Sequence, residues 1–298
     1  MPRSWNPKGT SCVSRVHAPL ACFVRSLVSF GAGGLCGSRR RAVGAAPGPV
    51  GYAARAFPTP VRIGVAATPH AVADVSIPRR ASSFGPRLEA GRWHNLALAA
   101  AALDGVGIAA DRPFSFWRTV GRLEHSRGFV EGAHFEGGCI VPAIGGGICA
   151  LSDALFDLAL RADCNILERH AHTLAVDRGP DAPLRRRVDA TVKWPYVDLR
   201  FAPREVQLRL HAQMEPGGLR LAVASDRPIE SAEVYVSEPQ RTCGPDGPSV
   251  HATISRRRAA HTGRRLEVIG TDRKHLIAHP TRNCDTCREH GCGRHRGA

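Results

Sequence analysis

The residues with the clearest chemical potential are Cys149 and the glycines before it. Gly145, Gly146 and Gly147 precede a thiol that we expect in the first turn of a helix. Unsatisfied backbone N–H groups and the positive end of the helix dipole favour a thiolate over a thiol at such a position. Glycines also let a substrate approach the backbone and leave amide groups to stabilise an oxyanion. The segment therefore predicts the chemistry of a cysteine-dependent acyl transferase or hydrolase.

Two histidines downstream could serve as the base for that thiol. The segment Glu168-Arg-His170-Ala-His172 puts both imidazoles on one side of an extended chain, because side chains alternate along a strand. Asp189 could orient either imidazole, which gives the chain order Cys, His, Asp of transglutaminase-type and other papain-like folds. The spacing does not separate His170 from His172 as the partner of Cys149.

The same residues admit two other interpretations. A thiolate, two imidazoles and a carboxylate are also suitable ligands for a catalytic zinc ion that keeps one position open. In a structural alternative, the three glycines form a turn, Cys149 is a small buried residue and the histidines bond to backbone groups. Catalysis, metal binding and a binding or structural role therefore all remain open.

The C-terminal segment, residues 281–298, has the spacing of a zinc-binding knuckle. It contains the pattern C-x2-C-x4-C-x2-H, formed by Cys284, Cys287, Cys292 and His295. Two turns of chain can bring these donors around one structural, tetrahedral zinc ion. The alternative is a redox-active or disulfide-linked tail. Reduced cysteines that bind zinc would indicate a cytoplasmic protein, whereas disulfides would indicate an exported one. The location therefore stays open between the cytoplasm and the cell envelope.

Charge is distributed unevenly along the chain. The net charge is +15, yet no acidic residue precedes Asp74, and only three of the 41 basic residues are lysines: Lys8, Lys193 and Lys274. A GC-rich coding sequence explains the arginine bias without any partner. Arginines in the folded part are scattered and not interleaved with aromatic residues, so we expect no nucleic-acid partner. No run of about 18 apolar residues occurs, so we expect no integral membrane span.

Hydrophobic periodicity divides the chain into four parts. Residues 1–85 lack periodicity and predict a disordered basic leader, which is either an export signal or the product of an upstream start codon. Residues 86–203 form the predicted core domain. Residues 204–280 alternate apolar and polar side chains between turn signals, which predicts a small antiparallel β-domain. Residues 281–298 complete the chain as the cysteine-rich tail.

Within the core domain we expect both helices and strands. Apolar residues recur at helical spacing over Leu88–Leu103, and again from Cys149 to about Ala162. An extended segment is expected from Phe135 to Val141, and short β-rich runs follow the second helix. We therefore predict an α+β fold for this domain, followed by the antiparallel β-domain.

Several motifs occur in a fixed order along the chain: Trp93-His-Asn95, Phe114-Ser-Phe-Trp117, Gly128-Phe129, Gly145-Gly-Gly-Ile-Cys149, Glu168-Arg-His-Ala-His172, Asp189-Ala-Thr-Val192 and Trp194-Pro-Tyr196. They cover about 110 residues, and a chance sequence would rarely reproduce them at compatible distances. In type and order they resemble the VanW-like family, named after an accessory protein of vancomycin-resistance gene clusters. The match departs from the family pattern at Ala150, where the loop cysteine is typically followed by glutamine.

The resemblance implies a bacterial, envelope-linked protein without fixing a reaction. Our leading hypothesis is a thiol enzyme acting on peptidoglycan or its peptide precursors, with Cys149 as nucleophile. The alternative is a non-catalytic module that binds a cell-wall ligand. The ligand-binding candidates are the glycines of the loop, Ser152 and the aromatic residues Trp117, Trp194 and Tyr196.

Overall fold

A computed structural model describes most of the chain beyond its first 69 residues. The described residues are 70–80, 84–136, 139–177, 187–260, 263–278, 282–284 and 287. They belong to one unit, Pro58–Ala298. Most of the predicted leader lies outside the described residues, as do Cys292 and His295 of the predicted zinc site.

The described residues contain three α-helices and fifteen strands. The helices are α1 (Pro86–Leu103), α2 (Phe116–Val120) and α3 (Cys149–Arg161), with a 3₁₀ turn at His125–Arg127. The strands are β1 (His70–Pro78), β2 (Gly107–Ile108), β3 (Phe114–Ser115), β4 (Glu131–Glu136), β5 (Cys139–Ile144), β6 (Asn165–Glu168), β7 (Leu174–Asp177), β8 (Arg200–Ala202), β9 (Leu208–Glu215), β10 (Gly218–Ser225), β11 (Glu233–Val236), β12 (Gln240–Gly244), β13 (Gly247–Ala260), β14 (Gly263–Ala278) and β15 (Arg282–Asn283).

The strands form four sheets. One sheet has the order β1-β10-β9-β2, and a second has the order β11-β13-β14-β7 with β12 also paired to β13. Two three-stranded sheets have the orders β15-β5-β4 and β3-β8-β6. Most pairs are antiparallel, but β7 runs parallel to β14 and β15 runs parallel to β5. The parallel contact with β14 joins the chain just after His172 to the long C-terminal hairpin.

The two longer helices fill the space between these sheets. Helix α1 packs against β4 and β9, and α3 packs against β1 and β6. Leu96 on α1, Leu155 on α3 and Leu221 on β10 lie in one hydrophobic cluster and are almost fully buried. Each leucine buried in this way contributes roughly 1.5–3 kcal/mol. The position of Cys149 is therefore tied to the main core.

The predicted α+β fold class is wrong, because the structure is mostly β. Strands account for 49% of the structure and helices for 20%. The β13–β14 hairpin shows why the strands were underestimated. The inward face of β13 continues from Ile254 to Arg256, which is 1% exposed, so a buried arginine interrupts the apolar alternation. The predicted extended segment Phe135–Val141 also spans the end of β4 and the start of β5, which pair with each other.

Strand β1 falls within the segment that we expected to be disordered. It pairs antiparallel with β10, from His70 opposite Ser225 to Pro78 opposite Gly218. Its small and β-branched residues show no strong periodicity alone, and the strand depends on β10 and on contact with α3 for its stability. Local sequence could not reveal that partner.

Candidate active site

The loop before α3 has a backbone that only glycine suits. Gly145 and Gly147 have φ values of 75° and 96°, in the region that side chains disfavour. A Cβ on Gly146 would lie 2.2 Å from the carbonyl oxygen of Gly132, so the two backbones touch without room for a side chain. The three glycines therefore hold the start of α3 against strand β4.

Asn95 fixes the other side of this loop. Its fully buried amide donates to the carbonyl of Gly146 at 3.1 Å and to that of Val130 at 3.0 Å. Its oxygen accepts from the Val130 amide at 3.0 Å. One side chain on α1 thus bonds the glycine loop to the chain entering β4, which gives the Trp93-His-Asn95 motif a structural role.

The thiol of Cys149 lies at the first residue of α3 and is half-buried. Its Sγ is 3.8 Å from the Thr191 hydroxyl and 4.0 Å from the Val192 carbonyl oxygen. The amides of Gly147 and Cys149 donate to no acceptor among the described residues. Two free N–H groups beside a thiol are the donors that an oxyanion requires.

His172 connects Cys149 to Asp189. Its Nδ1 contacts the Oδ1 atom of Asp189, and Cys149 is near enough to help raise the pKa of the imidazole, which leaves Nε2 as the ring nitrogen available to the thiol. Its backbone amide donates to Asp189 Oδ2 at 2.9 Å. The carboxylate is 1% exposed, whereas the imidazole is partly accessible to solvent. The arrangement has the roles of a nucleophile, a base and a residue that orients the base.

The charges in this site are strongly coupled. Burial alone would lower the pKa of His172, but its hydrogen bonds to Asp189 and Cys149 raise that pKa to about 10. Burial alone would raise the pKa of Asp189, but His172 and Lys274 hold it well below its usual range. At neutral pH His172 is therefore an imidazolium and Asp189 a carboxylate, so a cation lies beside Cys149.

The backbone of the Asp189 segment is anchored from three directions. Ser152 is fully buried and its hydroxyl donates to the Ala190 carbonyl at 2.5 Å. Asp153 accepts from the Ala190 amide at 2.8 Å, and Arg169 Nε donates to the Asp189 carbonyl at 2.6 Å. Ser152, a sequence-predicted ligand-binding residue, therefore joins α3 to this segment through its hydroxyl.

His170 lies apart from the thiol. Its side chain is exposed and its Nε2 is 3.3 Å from Glu168 Oε1, while its backbone bridges to Thr191. The sequence offered His170 and His172 equally, and the structure places only His172 between Cys149 and Asp189. The structure therefore does not bring both histidines together with Cys149, as the zinc alternative required.

A different set of donors lies close together. Asp153, His172 and Asp189 have ligand atoms within 4.8 Å of one another. A metal would need a neutral imidazole, however, and His172 carries a proton with a raised pKa of about 10. Lys274 already contacts Asp189 with its ammonium group. These two cations balance the carboxylate and disfavour a metal there.

Two exposed aromatic side chains follow the segment that contacts the thiol. Trp194 and Tyr196 are 45% and 74% exposed, on a tight turn closed by a bond from the Lys193 amide to the Val197 carbonyl at 2.9 Å. The Trp194–Pro195 peptide bond is cis. Trp117 is buried and meets the Trp194 ring edge-on at 5.8 Å between centroids. Trp117 therefore packs beneath Trp194, whose exposed ring is available to a ligand.

The described part of the tail lies beside β5. Cys284 donates from its amide to the Ile140 carbonyl at 2.9 Å, and Cys287 to the Asn283 carbonyl at 2.8 Å. Cys243, on β12, is disulfide-bonded. Since the other two predicted zinc ligands lie outside the described residues, zinc binding by the tail stays a prediction.

Sequence reasoning missed four residues of the site. Thr191 contacts the thiol but was only part of the Asp189-Ala-Thr-Val192 motif, with no role assigned to it, and Asp153, beneath Asp189, belongs to no recognisable pattern. Burial lowers the pKa of His134, and the positive charges of His172 and Lys193 lower it further, which places β4 beside the site. Lys274 had one signal, because it is one of only three lysines in a chain dominated by arginine.

Comparisons with known proteins converge on one family. A family model described as VanW like protein matches residues 91–224. The uncharacterized protein YoaR of Bacillus subtilis is 33% identical over 141 residues, which is 47% of this chain and 45% of YoaR. The vancomycin B-type resistance protein VanW of Enterococcus faecalis is 32% identical over 106 residues, 36% of this chain and 38% of VanW.

The matched segment therefore spans less than half the length of these curated relatives. No solved structure matches the chain. Among the described residues, no helix is long and apolar enough to cross a membrane. The matched region contains the glycine loop, Cys149, His172 and Asp189, but it ends before the C-terminal hairpin.

Proposed function

Residues 91–224 of this chain belong to the VanW-like family, and from this premise we propose a thiol enzyme that acts on peptidoglycan or its peptide precursors. The observation that carries the proposal is the placement of His172 between Cys149 and Asp189. The choice of a cell-wall substrate is part of this proposal and follows from the family resemblance, in which one relative is named for vancomycin resistance.

The proposed reaction begins with attack by the Cys149 thiolate on a carbonyl carbon of the substrate. A carbon–sulfur bond forms while the carbonyl π electrons move to oxygen, and the amides of Gly147 and Cys149 donate hydrogen bonds to the resulting oxyanion. The carbon–nitrogen bond then breaks, and the leaving amine takes the proton from His172. The product of this half-reaction is a thioester on Cys149.

The second half-reaction restores the thiol site. Water or an acceptor amine attacks the thioester carbonyl while His172 takes a proton from it. The carbon–sulfur bond breaks and the thiolate leaves, again beside an imidazolium. Asp189 keeps the imidazole in one orientation throughout, since it contacts Nδ1 and also accepts from the His172 backbone amide.

The enzyme proposal is tested by incubating the full chain with purified muropeptides. We expect new products in the mixture, and a transient acyl adduct on the tryptic peptide that contains Cys149. Cys149→Ala should abolish both signals, and His172→Gln should slow product formation by at least about 100-fold, the usual contribution of a general acid or base. Unchanged product formation by Cys149→Ala would overturn the proposal.

A second candidate function is a non-catalytic module that binds cell-wall saccharide. It is favoured by Trp194 and Tyr196, because exposed aromatic rings on a rigid turn suit stacking against sugar rings. Under this alternative, Trp194→Ala weakens retention on purified peptidoglycan while Cys149→Ala leaves retention unchanged and wild type makes no product. Tyr235→Ala on β11, in a sheet that does not contain Trp194 or Tyr196, provides an exposed aromatic control.

A further inference from the structure

The ammonium group of Lys274 reaches Asp189 from strand β14. Its Nζ contacts Oδ2 of the carboxylate, whereas His172 Nδ1 contacts Oδ1. The Lys274 side chain is 21% exposed and Asp189 is 1% exposed, so this ion pair is largely shielded from solvent. Strand β14 lies beyond residues 91–224, so the contact comes from outside the part matched by the family model.

A second connection runs from the same face of β14. Asp272 lies two residues before Lys274, and both of its oxygens pair with the Arg169 guanidinium at 2.5 Å. Arg169 in turn donates to the Asp189 carbonyl and stacks on Phe156 at 4.9 Å. Strand β14 therefore holds the Asp189 side chain directly and the Asp189 backbone through Arg169.

From these contacts we infer that Lys274 is a positioning residue of the Cys149 site and supplies its second cation. This inference rests on the proposed function. With His172 alone, the imidazolium would have to balance both Asp189 and a thiolate. With Lys274 bound to Asp189, the imidazolium is free to balance the thiolate.

The remaining charges around the site do not replace this cation. Arg187 is 60% exposed and lies 3.5 Å from Asp153, and Arg169 is neutralised by Asp272. The groups that face the Lys274–Asp189 pair, or lie next to it, are His172, Cys149, Asp153, Arg187, Arg169, Asp272, His134 and Lys193. A compact ammonium suits such a position, which is consistent with the use of one of only three lysines in a chain whose basic residues are mostly arginine.

The test is the pH profile of Cys149 alkylation by iodoacetamide in the full chain, followed by mass spectrometry of the Cys149 peptide. We expect Lys274→Met to slow alkylation about tenfold at neutral pH and to displace the profile to higher pH, as removal of one nearby cation predicts. Lys274→Arg should move the profile back toward that of wild type. Arg273→Met, whose exposed side chain leaves the opposite face of β14, should match wild type. A Lys274→Met profile that superimposes on wild type overturns the inference.

A double-mutant cycle separates this inference from the proposed function. The free energy of unfolding is measured for Lys274→Met, Asp189→Asn and the double variant, with Lys274→Gln in place of Lys274→Met if that variant does not fold. Non-additive effects support the ion pair even if Cys149 proves inert, in which case only the enzyme proposal fails. Additive effects overturn the role of Lys274 whatever the reactivity of Cys149.

Discussion

His172 is the residue on which the chemistry depends, because its interactions with Asp189 and Cys149 determine its charge. Asp189 accepts from one ring nitrogen and Cys149 interacts with the other, so the folded protein favours the imidazolium. An imidazolium beside a thiol favours the thiolate, which is the nucleophilic form of cysteine. The same contacts link protonation of His172 to the stability of the fold.

The sign of this linkage gives a prediction. Because the pKa of His172 is raised from 6.5 to about 10, its protonation stabilises the fold fully below about pH 6.5, and this contribution is lost as the pH rises through about 10. We expect the free energy of unfolding to decrease more steeply over that window in wild type than in His172→Gln. Urea denaturation at a series of pH values measures it. If the free energy of unfolding has the same pH dependence in both proteins, the contacts of His172 in the fold do not raise its pKa.

The sequence predicted Cys149 and Asp189 but could not choose between the two histidines. His170 and His172 lie on the same side of an extended chain, and only the tertiary contact with Asp189 distinguishes them. Asp153 and Lys274 could not be predicted, because they come from a helix interior and from a strand about 85 residues after Asp189. Contacts between such distant segments leave no local pattern.

At the scale of elements, the glycine loop and α1 together position the start of α3. The closest approach is between Gly146 and Gly132, where two backbones meet without a side chain between them. Periodicity predicted α1 and α3 well, because both bury one apolar face. It could not predict the β4 contact that makes Gly146 necessary.

Gly146→Ala should therefore be severely destabilising. The new methyl group would lie 2.2 Å from the Gly132 oxygen, and relieving that overlap should cost about 1–3 kcal/mol or more. The matched control is Gly217→Ala, since a Cβ at Gly217 meets nothing within 4 Å and should change stability by less than about 0.5 kcal/mol. Equilibrium denaturation in urea compares the two. Equal stability of the two variants would exclude the close contact.

At the scale of the whole molecule, the β13–β14 hairpin is part of the structure that supports the site. Arg256 on β13 is buried, donates to the Cys164 carbonyl at 2.7 Å and pairs with Glu267 on β14. Lys274 and Asp272 extend from the same hairpin toward Asp189 and Arg169. A buried arginine in a strand is the feature that hydrophobic patterning is least able to interpret, which explains why the β content was underestimated.

Arg256→Leu should destabilise the protein by about 1–3 kcal/mol, because the Cys164 carbonyl loses a buried donor, while Glu267 and Asp163 each lose one of several cationic partners. Arg257→Leu is the matched control, since that side chain points outward, is 46% exposed and pairs with Glu233 at the surface. Its effect should stay below about 1 kcal/mol. Thermal and urea denaturation of the two variants measure the difference, and similar losses would contradict the buried role of Arg256.

The most direct test of the central claim is the rate of Cys149 alkylation by iodoacetamide at neutral pH in wild type, His172→Gln and His170→Gln. We expect Cys149 to react faster than Cys284 and Cys287 in the same wild-type molecules. In His172→Gln, Cys149 should react at least about tenfold more slowly than in wild type, because an adjacent cation is lost. His170→Gln should retain the wild-type rate, because that side chain pairs with Glu168. Equal rates in wild type and His172→Gln would contradict a Cys149–His172 pair and would favour the saccharide-binding module.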